Sequence, residues 1–487
     1  MRARFRHLAL LPAMLLAGCA EAPATDPARV LDASRERLAD RFALAAEAET
    51  APDAAQAVTA TLADWPRAYG DARLDALVAA VLAANRDFAV AAARVREARA
   101  GAAQVASTLW PSLDVGGFAA HTKQLRNTGT PNRIVDAEGI DAQASWELDI
   151  FGGNADRTRA ARLDVEAAQA AMWGVRVALV AETTTSYLEF AGIDARLEVL
   201  DRNIALQAEG LRLAAGAFAA GLAIEPSVQR ATARLASTRA LRPPLEQARA
   251  ALVHRLAVLA GETPETATTQ FAAPVALPPR RPADPHLAPS ELLARRPDLG
   301  AAQAQLLAAA ARAAAARTDL LPKFVLSGSY GEESLSVARL VTLTNPVYLI
   351  GASVTLPIFN AGRIRARIAG EDAKLDAAAA AYEQALLKAL ADVEDAYAGV
   401  AAAKTARARL TEAAAAAAAA EAQARRGFEL GRVDYGTLLD VERERLAAED
   451  GEVQARTAVA VAYASLFRAF GGGWDVAAPA QVSAGGS

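Results

Sequence analysis

The chain contains the same pattern of landmark residues twice, about 210 positions apart. Four landmarks recur with offsets between 208 and 211: a proline, a phenylalanine, a glycine, and an aspartate that precedes a bulky apolar residue. The matched positions are Asp87 and Asp298, Pro111 and Pro322, Phe151 and Phe359, and Gly221 and Gly431. A solenoid unit repeats every ~20 to 50 residues. The longer period predicts two copies of a large module of helices and strands, in a fold that accepts internal duplication.

The N-terminus is typical of an export signal. Three arginines stand among the first six residues, and the apolar stretch 8–16 is too short to span a bilayer. Cys19, the only cysteine, follows directly. Leu16-Ala17-Gly18-Cys19 resembles a bacterial lipobox, which predicts a signal peptide over 1–18 and an acylated Cys19. The alternative is a cysteine in an ordinary signal peptide. Ala20 after Cys19 is typical of lipoproteins sent to the outer membrane.

The charge of the chain argues against nucleic acid as a partner. The net charge is −4, and residues 1–18 hold three arginines and no acids, so −4 minus 3 gives −7 for the mature protein. Beyond the signal we find no run of 18 uncharged apolar residues, so the sequence predicts no membrane helix.

Two segments show the period of two that is typical of strands. In 140–150, apolar Ile140, Ala142, Ala144, Trp146 and Leu148 alternate with polar residues. This predicts a hairpin over 113–150, with a partner strand at 113–120 and a loop at 121–139. The second copy predicts a hairpin over 324–358, with strands at 324–330 and 347–358 and a loop at 331–346.

Each hairpin is followed by a long segment without proline, rich in alanine, leucine, glutamate and arginine. Such composition favours helix, and roughly 60 residues would extend on the order of 90 Å. An isolated helix of that length needs lateral partners. Gly221 and Gly431 are expected to end these helices, and shorter helices return at 226–260 and 434–470. Pro243-Pro244 should interrupt the first of these.

These elements divide the chain into a series of segments. A single helix is expected over roughly 73–109, before the first hairpin. The predicted divisions are an N-terminal lipidated segment at 19–70, a first repeat at 71–260, a proline-rich linker at 261–289, a second repeat at 290–473 and a tail at 474–487.

The sequence contains no recognisable catalytic chemistry. Its four histidines are isolated from one another, and no metal-ligand spacing, phosphate-binding glycine loop or nucleophile motif is found. Gly152-Gly153 is interpreted as a turn between strand and helix. We therefore expect no enzymatic activity and no cofactor other than the lipid on Cys19.

Several motifs together resemble a known family. They are the lipobox, Arg296-Pro297-Asp298, Leu241-Arg242-Pro243-Pro244-Leu245, the stretch 357–364 (PIFNAGRI) and 470–474 (FGGGW). The chain resembles the outer-membrane efflux factors, or TolC-like proteins, and more closely their NodT-type lipoprotein branch. The resemblance covers about 60–475.

The resemblance implies a mainly α fold with a membrane β-barrel portion. Each subunit of a homotrimer would give four strands to one 12-stranded barrel, continued by a periplasmic α-helical barrel. The residues support this, because two hairpins cannot close a barrel alone and open edges are not tolerated in lipid. Three copies give an even strand count. Trp146, Leu148, Tyr348 and Ile350 are expected to face lipid.

The resemblance also points to a periplasmic aperture around the second helix break. Asp440 and Arg443 are three residues apart and share a helix face. The resemblance implies that Asp440 lines a constriction, with Arg443 as a basic partner within the subunit or across to the next one. A solvated helix surface is the alternative.

Other positions of the expected aperture are Phe428, Gly431, Arg432, Thr437 and Ser227. Thr437 stands where some family members have a second constriction aspartate. Ser227 and Phe428 replace the aspartate and tyrosine of the enterobacterial link, so that link cannot form here. Arg432 with Glu225 is a candidate replacement.

The expected function is a passive duct of a tripartite efflux system in the outer membrane of a Gram-negative bacterium, lipid-anchored and extending into the periplasm. It would work with a periplasmic adaptor and an inner-membrane transporter, which chooses the cargo. The same duct could serve type I protein secretion. A structural periplasmic coiled-coil lipoprotein or an enzyme would fit the sequence less well.

Overall fold

A computed structural model describes residues 25–39, 42–43, 64–123, 134–221, 224–280, 282, 288–334 and 346–473. The predicted signal peptide, Cys19 and the tail 474–487 lie outside these residues. The chain forms two compact units. The sheet unit comprises Met1–Arg37, Arg94–Gln169 and Ala301–Gln384, and the helical unit comprises Leu38–Ala93, Ala170–Gly300 and Ala385–Ser487.

The sheet unit contains one antiparallel four-stranded sheet. Its strands are β1 (Ser112–Lys123), β2 (Ile134–Leu148), β3 (Lys323–Ser334) and β4 (Pro346–Thr355), in the order β1-β2-β3-β4. The two hairpins therefore join through β2 and β3. Strands β1 and β4 each pair on one side only among the described residues, so the sheet has two open edges.

The register places most of the large apolar residues of both hairpins on one face. Ala142 lies opposite Val115 and Tyr330, and Tyr330 lies opposite Tyr348. Directly opposed residues share a face of an antiparallel pair. Four further rows continue this face, and the last of them contains the acidic Glu332: Leu148, Phe324 and Val354; Trp146, Leu326 and Ala352; Ala144, Gly328 and Ile350; and Ile140, Glu332 and Pro346.

The four residues expected to face lipid, Trp146, Leu148, Tyr348 and Ile350, thus lie on the same face. The five rows extend over roughly 26 Å of strand at ~3.3 Å per residue. Leu148 is the last residue of β2 and lies in an end row, whereas Ile350 lies in the middle row. Ile350 is also 86% exposed within the chain.

Strands β1, β2 and β3 extend into segments that were expected to be loops, whereas β2 and β4 end earlier than expected, at Leu148 and Thr355 instead of 150 and 358. Residues 121–123, 134–139, 331–334 and 346, expected in loops, belong instead to β1, β2, β3 and β4. The alternation of apolar residues ends before the backbone pairing does, because hydrogen-bonded strands can continue where no apolar face is required. The remaining parts of the predicted loops, 124–133 and 335–345, lie outside the described residues.

The helices repeat in the same order in both halves. Helix α1 (Pro27–Glu36) precedes the first half, which contains α2 (Ala72–Ala84), α3 (Arg86–Ala106) and α4 (Gly153–Ala219). The return segment forms α5 (Glu225–Arg239) and α6 (Arg242–Ala260), and the linker contains α7 (Pro264–Gln270). The second half contains α8 (Pro289–Arg295), α9 (Pro297–Thr318), α10 (Arg363–Glu429) and α11 (Tyr435–Ala469). Helices α4 and α10 both have 67 residues.

The single helix expected over 73–109 is instead two helices with a 43° bend at Asn85. Asn85 adopts extended backbone, its Oδ1 accepts a hydrogen bond from the Phe88 backbone N–H (3.0 Å), and its Nδ2 donates to the Leu259 carbonyl (2.9 Å). This is an N-cap of α3. The bend corresponds to Arg296 between α8 and α9 in the second half.

Turns at the ends of the helices follow the residue types. Gly221 and Gly431 have φ of 72° and 67°, the left-handed conformation that glycine adopts without steric cost. Leu241 separates α5 from α6, and Pro243 and Pro244 lie in the first turn of α6, where proline is tolerated.

The core of the helical unit is aromatic. The Trp65 ring stacks on Phe467 with centroids 5.3 Å apart, and Tyr69 donates a hydrogen bond to the Ala460 carbonyl (2.7 Å). Phe42 packs edge-on against Phe470 at 6.0 Å. Parts of the N-terminal segment are therefore integral to this core.

No single helix among the described residues is long and apolar enough to cross a membrane. One bent pair, Ala72–Ala84 with Arg86–Leu109, passes by length and composition alone.

Candidate functional site at the turn between α10 and α11

The site is the turn region, residues 421–449, which comprises the end of α10, the turn at Gly431 and the start of α11. The chain reverses tightly here, because the backbone N–H groups of Arg432 and Val433 both donate to the Gly427 carbonyl, at 2.8 and 3.2 Å. A Cβ at Gly427 would lie 2.6 Å from the Val433 side chain. Glycine is therefore required at both Gly427 and Gly431.

Asp434 caps the start of α11. Its Oδ1 accepts the Thr437 backbone N–H (3.0 Å), and its Oδ2 accepts the Thr437 hydroxyl (2.6 Å). The hydrogen bond from the Thr437 hydroxyl is the largest cause that lowers the pKa of Asp434. The Thr437 hydroxyl is thus engaged in helix capping.

An aromatic pair closes the turn. The rings of Phe428 and Tyr435 lie 5.5 Å apart in a tilted arrangement. Burial, followed by the charge of Glu442, raises the pKa of Tyr435 to about 12. At the position where the family's enterobacterial pattern has a tyrosine, this chain uses an apolar contact.

Asp440 and Arg443 are both exposed on α11. No ion pair joins them within the part of the chain that the structure describes. Both charges act instead on Arg234 of α5, whose pKa is lowered by burial first and then by Arg443, and is raised by Glu442 and Asp440. Arg234 and Arg443 line a cavity of about 470 Å³.

The first-repeat positions lie at the start of α5. Ser227 is half-buried, and its backbone N–H donates to the Ile224 carbonyl (3.0 Å). Between Arg432 and Glu225 the described residues contain no ion pair.

A charged network behind the turn was not found from the sequence. Glu421 accepts hydrogen bonds from Arg425 Nε and Arg445 Nη1, both at 2.8 Å. Arg425 also donates to Glu442 (3.2 Å), and Arg445 Nε donates to Glu449 (2.9 Å). The network links α10 to α11. A signal was present, because Glu421 lies ten residues before Gly431 and Glu442 lies eleven after it, so a helical hairpin brings them together.

Within this network, burial has its clearest effect on Glu442. The side chains of Glu421 and Glu442 are only 6% and 11% exposed. Burial raises the pKa of Glu442, Arg425 opposes this, and Glu421 adds to it. No group of three or more His, Cys, Asp or Glu in the described residues could hold a metal ion.

Comparisons with known proteins identify the family. A model of the outer membrane efflux protein family matches residues 77–262 and 288–472. The chain is 32% identical over 489 residues to the pyoverdine export outer membrane protein OpmQ of Pseudomonas aeruginosa, covering 96% of this chain and 97% of that protein. It is 29% identical to the outer membrane protein OprJ of the same species, covering 98% of both.

A solved structure of the outer-membrane channel OprN has the same fold. The TM-score is 0.80 at 32% identity, covering 90% of this chain and 98% of that chain. The expected fold class, that of the mainly α TolC-like outer-membrane channels with a β-barrel portion, is confirmed, and the chain itself is mainly helical with one antiparallel sheet. The two matched segments of the family model correspond to the two halves of the chain. The chain belongs to the outer membrane efflux protein family.

Proposed function

We propose that this protein is the outer-membrane duct of a tripartite efflux system and exports small molecules delivered by an inner-membrane transporter through a periplasmic adaptor. One observation carries the proposal: a sheet with one apolar face and two open edges leads directly into helices of 67 residues. Proteins of this family are channel components of efflux pumps, not enzymes. No catalytic role is proposed.

The open edges support a trimer. Unpaired backbone groups of β1 and β4 cannot be left in lipid, so these edges must pair with another chain. Three four-stranded sheets give twelve strands, an even antiparallel count. TolC-like structures are trimeric. The apolar face with Trp146, Leu148, Tyr348 and Ile350 would then contact lipid.

Small molecules are the cargo class we favour. The relative OpmQ is described as exporting pyoverdine. Because the duct has no catalytic chemistry of its own, the transporter would select the cargo. Type I protein secretion through the same duct remains the second candidate. A deletion strain separates the two functions: loss of efflux would reduce its growth in toxic small molecules, whereas loss of secretion would remove proteins from its culture medium.

The lipid anchor gives a first prediction. We expect Cys19→Ser to yield a protein without lipid and with an unprocessed or differently cut signal, because the thiol is the acylation point. Acyl chains contribute about 0.8 kcal/mol per buried methylene to membrane residence. Mass spectrometry of the N-terminus measures both effects. A wild-type N-terminus without lipid would contradict the anchor and would leave the duct proposal intact.

The aperture gives a second prediction. Three Asp440 side chains brought together on a threefold axis would form a negative ring that favours cations. Exposed pairs with Arg443 of a neighbouring subunit would each contribute only about 0.2–1 kcal/mol, which is enough to bias a gate without locking it. We therefore expect Asp440→Ala with Arg443→Ala to raise single-channel conductance and weaken cation selectivity, with trimer assembly unchanged.

Conductance of the purified protein in a planar bilayer tests both the duct and the aperture. The control is Glu444→Gln, since Glu444 is an exposed carboxylate on the same helix. A wild-type protein that never conducts would overturn the duct. Wild-type conductance and selectivity in the double variant would place the constriction elsewhere.

A further inference from the structure

In the hydrogen-bonded charged network of the turn region, carboxylates outnumber guanidinium groups by one. Three carboxylates, Glu421, Glu442 and Glu449, share two guanidinium groups, Arg425 and Arg445. With all five ionised the network has a net charge of −1, in surroundings that are partly closed to water. Uptake of one proton would make it neutral.

Glu442 has the weakest contacts of the three carboxylates. It accepts one hydrogen bond, at 3.2 Å, from Arg425. Glu421 accepts two at 2.8 Å. Glu449 accepts one at 2.9 Å, faces Asn203 at 3.5 Å and is the most exposed, at 19%. A proton entering the network is therefore best placed on Glu442.

The groups around Glu442 come from three helices. Arg425 and Glu421 face it from α10, Arg445 and Tyr435 from α11, and Arg234 from α5. Arg234 brings charge without a hydrogen bond, and its buried Nε has no partner among the described residues. Among the described residues, no second guanidinium therefore donates a hydrogen bond to Glu442, and Arg425 is its only hydrogen-bond donor.

Glu442 lies between Asp440 and Arg443 in the sequence but on the opposite side of α11. Asp440 and Arg443 are exposed, while Glu442 is buried against α10. The contact of Glu442 with Arg425 therefore joins α11 to α10 on the side of α11 away from the two exposed charges.

We propose that Glu442 is a proton-sensitive positioning residue of the aperture: when it takes up a proton, α11 packs more tightly on α10 and the aperture closes. The proposal rests on the duct function proposed above. It adds a control of the aperture by pH, exerted through a side chain that does not itself line the passage.

The direction of the effect follows from linkage. Burial raises the pKa of Glu442 above that of a free glutamate. A carboxyl group with a raised pKa in the folded state stabilises that state when it is protonated, and this stability is lost as the pH rises through the raised pKa. Acidification from neutral pH should therefore tighten the turn region.

The test compares the wild type with Glu442→Gln, a neutral side chain of the same shape. Trimers are measured at about pH 7.5 and about pH 5.5, by thermal unfolding and by conductance in a planar bilayer. We expect the wild type to have a higher Tm and a lower conductance at the acidic pH. In Glu442→Gln, Tm and conductance should be nearly the same at the two pH values. Both should lie near the values that the wild type has at the acidic pH. Glu444→Gln should behave as the wild type.

Each result decides the proposal. If Glu442→Gln keeps the wild-type pH dependence of Tm and conductance, Glu442 is not the proton site. If only the pH dependence of Tm is lost, the residue is structural and does not position the aperture. If no variant conducts, the duct function fails and the positioning role fails with it, while the pH dependence of Tm still decides whether Glu442 takes up the proton.

Discussion

Ile350→Arg should destabilise the membrane-inserted fold by about 2–4 kcal/mol per chain, the cost of an arginine at the midplane of a barrel wall. Ile350 lies in the middle of the five rows and is 86% exposed within the chain. Urea titration of protein refolded into lipid vesicles measures the loss. Leu148→Arg should cost less, because Leu148 lies in an end row, where an arginine can reach the interface.

The matched control is Ser329→Arg. Ser329 neighbours Gly328, which lies opposite Ile350, and it faces the other side of β3. An arginine there would point into the water-filled interior and should have little effect on stability. Equal losses for the two variants would mean that the apolar face does not contact lipid.

Asp194→Ala should destabilise the helical unit by about 3–5 kcal/mol, the range for breaking a buried ion pair. Asp194 on α4 is 3% exposed and accepts hydrogen bonds from Arg249 Nε (2.5 Å) and the Val275 backbone N–H (2.8 Å). The variant would leave the half-buried Arg249 over the Phe190 ring, 4.7 Å away, without its counter-charge.

Denaturant unfolding of the purified protein measures this effect. Glu198→Ala is the control on the same helix, since Glu198 and Arg202 form an exposed pair (71% and 56%) of the kind that contributes about 0–1 kcal/mol. If Asp194→Ala lowers the free energy of unfolding no more than Glu198→Ala does, the contacts of Asp194 with Arg249 and Val275 do not stabilise the helical unit.

Local patterns in the sequence predicted the elements well. Alternation in 140–150 and 347–358 placed the strands and their apolar face, because side chains of a strand alternate between its two sides. Composition without proline predicted both long helices, which end two residues before the glycines Gly221 and Gly431. Strand ends were less well predicted, since backbone pairing extends into segments without an apolar pattern.

Long-range polar contacts could not be predicted in this way. Asp194 accepts hydrogen bonds from Arg249 and Val275, which lie 55 and 81 residues further along the chain. A local sequence pattern cannot predict contacts at such separations. Asn85 appears in sequence as one more polar residue within a helix, although its side chain caps α3. At the turn region, spacing identified Asp440 and Arg443, while the buried Glu442 between them depends on partners from α10 and α5.

The two open edges of the sheet have a genetic consequence. If a closed barrel needs the β1 and β4 edges of every chain, a single chain with a defective edge strand prevents closure of the whole trimer. In a cell making equal amounts of intact and edge-defective chains, only about one in eight trimers would be built wholly from intact chains. Edge mutations should therefore act dominantly, whereas changes confined to the interior of one chain's helical unit should be recessive.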